Sequence, residues 1–367
     1  MSRPRLLVSV AEASGDRLAA EVLRVLCAQV ELAGIELRVS GIAGPALRQL
    51  GVREVAPVED LSVMGLAEVL RHLPRVRRAR RALFDALDEG ADALMVVDAP
   101  DLNLPLAAYA RARGIPVIGL VSPQVWAWRR ARVHTVAARF TRLCCLFAFE
   151  PALYSEVQAP DFQAVFTGPP VLDRLPRRDP ATVDPLLYAL LPGSRPQERR
   201  RHLGPFLKAA ERLRAQRQGA RFLLAGPTPP PGLPDWVQPV PDVAALSRCR
   251  GALCKSGTVT LELAVLGLPM VVAHCVHPLT WWIGRALVRD VHHLAMPNVL
   301  ADIAAGGKAP EVVPEHLQQL DPDRLARALL ALPEHQPIDL SALGTPGAAA
   351  RMAEVARPLF TSPLSAP

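Results

Sequence analysis

Short apolar runs alternate with amphipathic stretches along most of the chain. Leu6–Val10, Leu37–Ile42, Leu94–Val97, Val117–Val121 and Leu143–Phe147 are compact, apolar and partly β-branched. That pattern predicts parallel strands buried on both faces. Helical patterns lie between them. The first starts near Asp16 and places Leu18, Val22, Leu26 and Val30 at every fourth position, which makes one face of a helix apolar. Strand and helix in alternation predict parallel sheets with crossover helices.

The alternation breaks over Pro169–Pro185, a stretch rich in Pro, Arg and Asp. It has the composition of a linker. The pattern then restarts. Leu187–Leu191, Phe222–Ala225, Ala252–Cys254 and Met270–Ala273 are the strands expected there, with helices after Arg195, Thr258 and Pro278. Thr228–Pro234 is a Pro-rich loop, and a last helix near Gly347–Arg357 is stopped by Pro358. No fixed-period repeat is present. The expected architecture is two α/β halves joined by a linker, with the ligand between them. Residues 1–168 form the first domain, 186–345 the second, and 346–367 a C-terminal helix and tail.

Composition narrows the class. A chain of 367 residues can bury sizeable cores and favours two or more domains. Half of it is hydrophobic, which excludes a disordered protein. The net charge is +7, so anionic substrates, anionic membranes or nucleic acid are the partners that charge favours. The six cysteines have no C-x-x-C or Cys/His ligand spacing and lie mostly in apolar segments. They are expected as reduced core thiols in a cytoplasmic protein. No transmembrane span is expected. Leu6–Ala11 is too short for one and runs straight into Glu12 and Asp16.

The strongest candidate chemistry lies in the second half. Leu191-Pro192-Gly193-Ser194-Arg195 is a strand end that runs into a Gly turn and a cation. Lys255-Ser256-Gly257-Thr258 is a small-residue turn opening a helix, with Glu262 one turn inside. Helix N-termini attract phosphate, and an arginine fork adds donors for its oxygens. Glu262 is placed to accept hydrogen bonds from ribose hydroxyls. Together these features point to a nucleoside diphosphate.

Three strand-end segments in the first half are candidates as well. Val10-Ala11-Glu12-Ala13-Ser14-Gly15-Asp16 admits a ligand close to the backbone, or is an ordinary capped turn. It is no G-x-G-x-x-G fingerprint. Asp98-Ala99-Pro100-Asp101, with Asn103, puts two carboxylates at a strand end, where one can act as general base; both can instead be caps. Asp98, nearest the strand, is the favoured base. Val121-Ser122-Pro123-Gln124-Val125-Trp126-Ala127-Trp128-Arg129 offers tryptophans either for a pocket wall or for the core.

Leu61–Leu70 followed by Arg71–Arg81 is an apolar segment that turns strongly basic. It suits an anionic lipid surface, or is a solvated helix face. No aromatics interleave its charges, so nucleic acid is not an expected partner. Pro278–Arg289, with Trp281 and Trp282, is a second interfacial candidate or a buried helix. Asp321-Pro322-Asp323 matches a D-x-D metal motif in form, but its place at a helix start reads as capping. No metal and no cofactor are therefore expected.

Taken in order, these segments resemble the lipid-A-disaccharide synthase family of nucleotide-sugar glycosyltransferases. The resemblance rests on Glu12–Asp16, Val63–Leu70, Asp98–Asn103, Val121–Trp128, Leu191–Arg195, Ser256–Thr258 with Glu262, Pro269–Val272 and Met296-Pro297-Asn298. It runs through most of the chain. It implies two Rossmann-like domains in the GT-B architecture with an interdomain cleft, and an inverting, metal-independent hexosyl transfer. A UDP-activated acylated glucosamine would be the donor, bound by 186–345, and an acylated glucosamine phosphate the acceptor, bound by 1–168. Asp98, Glu12 and Asp101 would be catalytic. Ser14, Arg195, Ser256, Gly257, Thr258, Glu262 and Asn298 would bind the nucleotide sugar. The resemblance also implies a peripheral place on the inner face of the cytoplasmic membrane, and it leaves room for a homo-oligomer.

The sequence departs from the family pattern at Ala11, at Ala148 and at Gly168-Pro169-Pro170, where a junction histidine is missing. The segment before Glu311 differs too. The donor half is better kept than the junction. Rival readings are a divergent transferase on another glycolipid, a UDP-N-acetylglucosamine 2-epimerase, and a non-catalytic nucleotide or lipid binder. The apolar-plus-basic segment argues against an epimerase, and Asp98 with Arg195 against a mere binder.

Overall fold

The structure is a computed structural model that describes residues 3–61, 66–128, 130–159, 161–226, 229–276 and 292–361. It divides into two compact units, Met1–Pro170 with Leu343–Pro367, and Val171–Ala342.

The first unit is built on a seven-stranded sheet. Its strands are β1 (Arg5–Ser9), β2 (Arg38–Ala43), β3 (Arg53–Pro57), β4 (Ala93–Val96), β5 (Val117–Gly119), β6 (Arg142–Cys145) and β7 (Gln163–Phe166), in the order β3-β2-β1-β4-β5-β6-β7. Every pairing is parallel; Leu6 lies opposite Ala93 and Val8 opposite Met95. The crossovers include α1 (Ala13–Glu31), α2 (Pro45–Gln49), α3 (Leu66–Asp88), α4 (Pro100–Arg111), α5 (Val125–Trp128) and α6 (Val133–Ala137). The predicted stripe Leu18, Val22, Leu26 and Val30 is buried against the sheet. From β1 the chain winds outward to β3, then returns to β4 on the other side of β1. Such a reversal leaves a crevice at the carboxyl ends of the two central strands.

The second unit repeats the plan with six strands. They are β8 (Asp184–Leu191), β9 (Arg221–Ala225), β10 (Val237–Val240), β11 (Cys249–Cys254), β12 (Met270–His274) and β13 (Glu315–Leu317), ordered β10-β9-β8-β11-β12-β13. Its helices include α7 (Val171–Arg174), α8 (Pro196–Gln216), α9 (Thr258–Leu266), α10 (Met296–Ala304) and α11 (Pro322–Leu330). Alternate residues of β8 feed opposite faces, as strand geometry demands. Tyr188 and Leu190 join α8 and α11 in one core, while Ala189 and Leu191 join α9 in the other. The reversal here lies between β8 and β11.

Two features differ from the sequence expectation. The stretch expected as a linker is docked onto the second unit. The Arg178 backbone N–H donates to the Leu266 carbonyl at 2.9 Å, and its guanidinium to the Cys249 and Glu334 carbonyls at 2.7 and 2.9 Å. Then β8 starts inside the stretch, at Asp184. The last helix, α12 (Ala348–Ala356), belongs to the first unit. Met352, Ala353 and Ala356 enter the core that α1 covers, and the Arg351 guanidinium donates to the Thr167 carbonyl at 2.8 Å. Apolar residues at this helical spacing must be covered, and α1 covers them. The helix expected after Pro278 lies outside the described residues.

Asp16 shows how one buried carboxylate sets a turn. Its Oδ1 accepts from the N–H groups of Gly44 at 2.7 Å and Leu47 at 3.3 Å, and its Oδ2 from Ala46 at 2.8 Å. It therefore supplies the cap that α2 lacks from its own N-cap residue, Gly44. Asp16→Ala is predicted to lower unfolding stability by about 1–3 kcal/mol, because the buried donors lose their acceptor. Chemical denaturation measures this; an unchanged midpoint would contradict the capping role.

Candidate functional site

In the first unit the candidate residues gather at the β1/β4 reversal. Asp98 and Ala99 both have φ of +47°, a left-handed conformation that non-glycine residues adopt rarely. Buried Asn103 holds them there. Its Nδ2 donates to the Asp98 carbonyl at 2.6 Å and the Val97 carbonyl at 3.2 Å. Its Oδ1 accepts from the Ser9 hydroxyl of β1 at 2.7 Å. The Asp98 side chain reaches solvent, yet protein crowds it. Desolvation raises its carboxyl above the usual range, a hydrogen bond from the Ala99 backbone opposes this, and the nearby Glu12 charge adds to the rise. Such a carboxylate is a stronger base than a free aspartate.

Glu12 is exposed at the end of the β1 loop and accepts from the Ser14 hydroxyl at 2.8 Å. Ser14 thus orients Glu12. Asp101 is exposed in the first turn of α4, where a negative charge favours the helix. Trp126 is buried, packed edge-on against Phe147 and Phe149. Core packing is therefore its role, while the side chain of Trp128 lies outside the described residues.

In the second unit the candidates sit at the β8/β11 reversal, where α8 and α9 begin. Gly193 has φ of +108°, and a Cβ there would lie 2.6 Å from a Glu198 carboxylate oxygen. Arg195 is the exposed N-cap residue of α8. Glu198, one turn in, accepts from the Arg195 backbone at 3.4 Å and from the Lys255 ammonium at 2.8 Å. Burial works to raise the Glu198 carboxyl, but the Lys255 hydrogen bond and charge outweigh it and hold it low. Gly257 adopts φ of +140° and ψ of −165° as the N-cap of α9, a region open in practice only to glycine. Exposed Thr258 follows it, and Glu262 lies on the same helix. The opening turn of α9 presents backbone N–H groups to solvent, as a phosphate site requires.

Ser256 points away from that solvent. It is buried, with its hydroxyl 2.8 Å from His274 Nδ1. His274, at the end of β12, is pushed down to about 4, first by burial and then by the Lys255 charge. His202 also lies low through burial. Its Nε2 accepts from the Cys275 backbone at 3.0 Å, so Nδ1 carries the proton and donates to the Glu198 carbonyl at 2.7 Å. Both imidazoles are thus neutral near pH 7. Ser256 stiffens the turn rather than meeting a ligand with its side chain.

Asn298 departs from its expected role. Its Nδ2 donates to the Val313 carbonyl and to Glu315, both at 2.8 Å. Its Oδ1 accepts from Val312 and Val313 at 2.8 and 2.9 Å. An amide has two donors and two acceptor sites, so all are spent on pinning the approach to β13. Asp321, the D-x-D candidate, caps α11 by accepting from Asp323 and Arg324. Among the described residues no group of three His, Cys, Asp or Glu side chains has metal-ligand geometry. All six cysteines are free thiols, four of them buried.

The Glu198–Lys255–His202–His274 cluster was not singled out from the sequence. One signal existed: Glu198 stands three residues after Arg195, the spacing of a capping box. The histidines carried none, since His202 lies on α8 and His274 on β12, and their partners Cys275 and Ser256 follow β12 and β11. The exposed arginines of α3 are as expected for a basic helix. Ala79, Leu83 and Leu87 are buried while Arg75, Arg77, Arg78, Arg80 and Arg81 face solvent. Ser62, Val63, Met64 and Gly65 lie outside the described residues, as do Trp281 and Trp282. No described helix is long and apolar enough to cross a membrane.

Comparison with known proteins adds two findings. The family model for lipid-A-disaccharide synthetase matches residues 6–228 and 240–334. The lipid-A-disaccharide synthase of Alkalilimnicola ehrlichii is 37% identical over 361 residues, covering 91% of this chain and 90% of its own. That of Neisseria gonorrhoeae is 36% identical over 357 residues, covering 90% and 88%. Solved structures agree in fold. S. aureus MnaA with UDP superposes with a TM-score of 0.60 at 13% identity, covering 100% of this chain and 99% of that one. The UDP-GlcNAc 2-epimerase of Neisseria meningitidis gives 0.58 at 12%, covering 97% and 99%. The glycotransferase of kitacinnamycin gives 0.52 at 18%, covering 98% and 95%. These three establish the fold alone, that of two Rossmann-like domains. The sequence matches establish more: the chain belongs to the lipid-A-disaccharide synthase family of glycosyltransferases.

Proposed function

We propose that the first unit binds the acylated glucosamine 1-phosphate acceptor, that the second binds the UDP-linked donor, and that Asp98 is the base joining them in one displacement. The family resemblance implies transfer of a 2,3-diacylglucosamine unit from UDP to the 6-hydroxyl of 2,3-diacylglucosamine 1-phosphate. The observation that carries the residue assignment is the Asp98 turn, a carboxylate held in left-handed backbone and raised in pKa by burial. Asp98 takes the proton of the 6-hydroxyl as that oxygen attacks the anomeric carbon. The bond from that carbon to the β-phosphate oxygen breaks, and UDP leaves with the electron pair. Attack opposite the leaving group inverts the centre and gives the β-1,6 linkage. Asp98 then returns its proton to water.

Charge grows on the leaving diphosphate, and the second unit answers it. Arg195 and the N–H groups opening α9 at Gly257 and Thr258 are placed to stabilise it. Glu262 holds the ribose. Lys255 stays with Glu198 and braces the two helix starts. Glu12 and Asp101 flank the base, Glu12 by raising its pKa. An epimerase is the weaker reading. Its likeness is one of fold, at 12% identity, while the synthases match at 37% over most of both chains.

The exposed arginines of α3 support a place on an anionic membrane surface, from the cytoplasmic side, where lipid-linked substrates are met without a spanning helix.

Three outcomes are expected. Asp98→Asn leaves UDP affinity intact and lowers kcat by about a hundredfold or more in an assay that follows UDP release and lipid product by mass spectrometry. Undiminished turnover would end the base assignment. Arg195→Ala weakens UDP binding by about tenfold or more in calorimetry and slows transfer with it; unchanged affinity would remove Arg195 from the phosphate site. Replacing Arg75, Arg77 and Arg78 by Gln lowers binding to vesicles rich in anionic lipid by about tenfold or more at low salt. Equal binding would leave α3 an ordinary solvated helix.

A further inference from the structure

Glu150 lies at the carboxyl edge of the first sheet, in the loop after β6, and is 1% exposed. Its hydrogen-bond partners are all neutral donors. Oε2 accepts from the Leu146 and Phe147 backbone N–H groups at 2.7 and 3.0 Å. Oε1 accepts from the indole N–H of Trp126 at 3.2 Å. Trp126 sits on α5, which follows β5, while Leu146 and Phe147 follow β6. One carboxylate therefore bolts together two loops on neighbouring strands. The aromatic rings complete the joint. Trp126 meets Phe147 and Phe149 edge-on, and those two rings stack 5.6 Å apart with planes 8° from parallel. Phe149 is only half-buried. The next strand over, β4, carries the Asp98 turn.

We propose that Glu150 is a positioning residue for glycosyl transfer: as a carboxylate it ties the Val125–Trp128 turn to the Leu146–Glu150 loop and so fixes the wall, with Phe149, on which the acceptor is seated. The proposal rests on the first unit being the acceptor-binding one. The joint requires the ionised form. A carboxylate accepts at both oxygens, whereas a carboxylic acid makes one of them a donor facing N–H groups. Protonation thus breaks one of three bonds and loosens the joint.

The groups that bear on Glu150 are Trp126 from α5, Cys145 from β6, and Tyr154 from the turn after the loop, whose hydroxyl in turn meets Ser122 at 3.2 Å. Burial raises the Cys145 thiol and the Tyr154 hydroxyl far above their ordinary values, so both are neutral around pH 7. Burial pushes Glu150 itself up to about 7, against the pull of its three N–H donors. A raised carboxyl is protonated first as pH falls, so the joint is closed above pH 7 and opens below it.

The test uses the full chain. The Trp126 indole N–H resonance, assigned by its loss in Trp126→Phe, is followed from about pH 5.5 to about pH 9 in a proton–nitrogen spectrum. It is expected to shift with a midpoint near 7 in the wild type and to lose that step in Glu150→Gln. At pH 8 Glu150→Gln is expected to raise acceptor KM by about fivefold with UDP affinity unchanged, because its amide meets the indole donor with a second donor. A pH-invariant indole resonance in the wild type would overturn the proposal, and so would wild-type KM and pH profile in Glu150→Gln. Should that variant not fold, Trp126→Phe decides instead. It keeps a ring but removes the N–H bond, and must raise acceptor KM; an unchanged KM overturns the proposal. A wild-type protein that titrates at Trp126 yet transfers nothing to the acylated glucosamine phosphate would count against the acceptor reading alone.

Discussion

The amide of Asn103 is the interaction on which the first unit's chemistry depends. Two consecutive residues, Asp98 and Ala99, stand at φ of +47°. Each costs on the order of 1–3 kcal/mol as a non-glycine residue in that region. Nothing in their side chains repays this. The Asn103 amide does, by donating to the Val97 and Asp98 carbonyls from inside the core and anchoring on Ser9 of the central strand. The turn can therefore leave β4 with its carboxylate turned up to solvent while its backbone is held by β1. Desolvation raises that carboxyl, against the pull of the Ala99 N–H.

The second unit solves the opposite problem. Under the proposed function it presents cations and bare N–H groups to a diphosphate, and must keep them from collapsing onto carboxylates. Glu198 occupies Lys255. That pair ties the start of α8 to the turn before α9. The neutral His274 then joins the same turn to β12, and the neutral His202 joins α8 to the residue after β12, without adding charge. Arg195 is left exposed beside the glycine-shaped opening of α9. Positive potential there comes from one mobile fork and from fixed helix ends, which cost no reorganisation when charge develops.

How far the sequence disclosed this follows from burial. All nine strands expected from apolar runs are present, and they occupy interior positions of both sheets. The four missed, β3, β7, β10 and β13, are the four edges. An edge strand has solvent along one side and carries polar residues or Pro, as Val237–Val240 does with Gln238 and Pro239. Its apolar run is therefore short or absent. The same logic separates the site residues. Asp98, Arg195 and Gly257 could be picked out as candidates because a carboxylate, a cation or a Gly turn after a strand has a local signature, and the structure places each in a loop that leaves a strand. Asn298 was misjudged because its partners, Val312, Val313 and Glu315, lie at and just before β13, an edge strand that the pattern did not show. His202 on α8 and His274 on β12 meet from elements far apart in sequence, and no spacing encodes that.

The proposed base and the proposed phosphate-binding residues lie on different units, Asp98 on the first and Arg195, Gly257 and Thr258 on the second, and chemistry favours that division. The charge that bears on Asp98 is the Glu12 carboxylate, which raises its pKa. A guanidinium or ammonium on the same turn would lower it and weaken the base, since an opposite charge within a few ångströms shifts a carboxyl by about 1–3 units. The leaving diphosphate needs those same cations close by. One loop cluster could not serve both demands without trading one against the other. Two sheets, each with its own reversal point, let the proposed base and the proposed phosphate site keep separate surroundings, one with carboxylates and one with cations. The Glu150 joint fits this arrangement. It is a further carboxylate on that unit, after Glu12, Asp98 and Asp101, satisfied by neutral N–H donors rather than by a cation, so it braces the proposed acceptor side without drawing positive charge toward the proposed base.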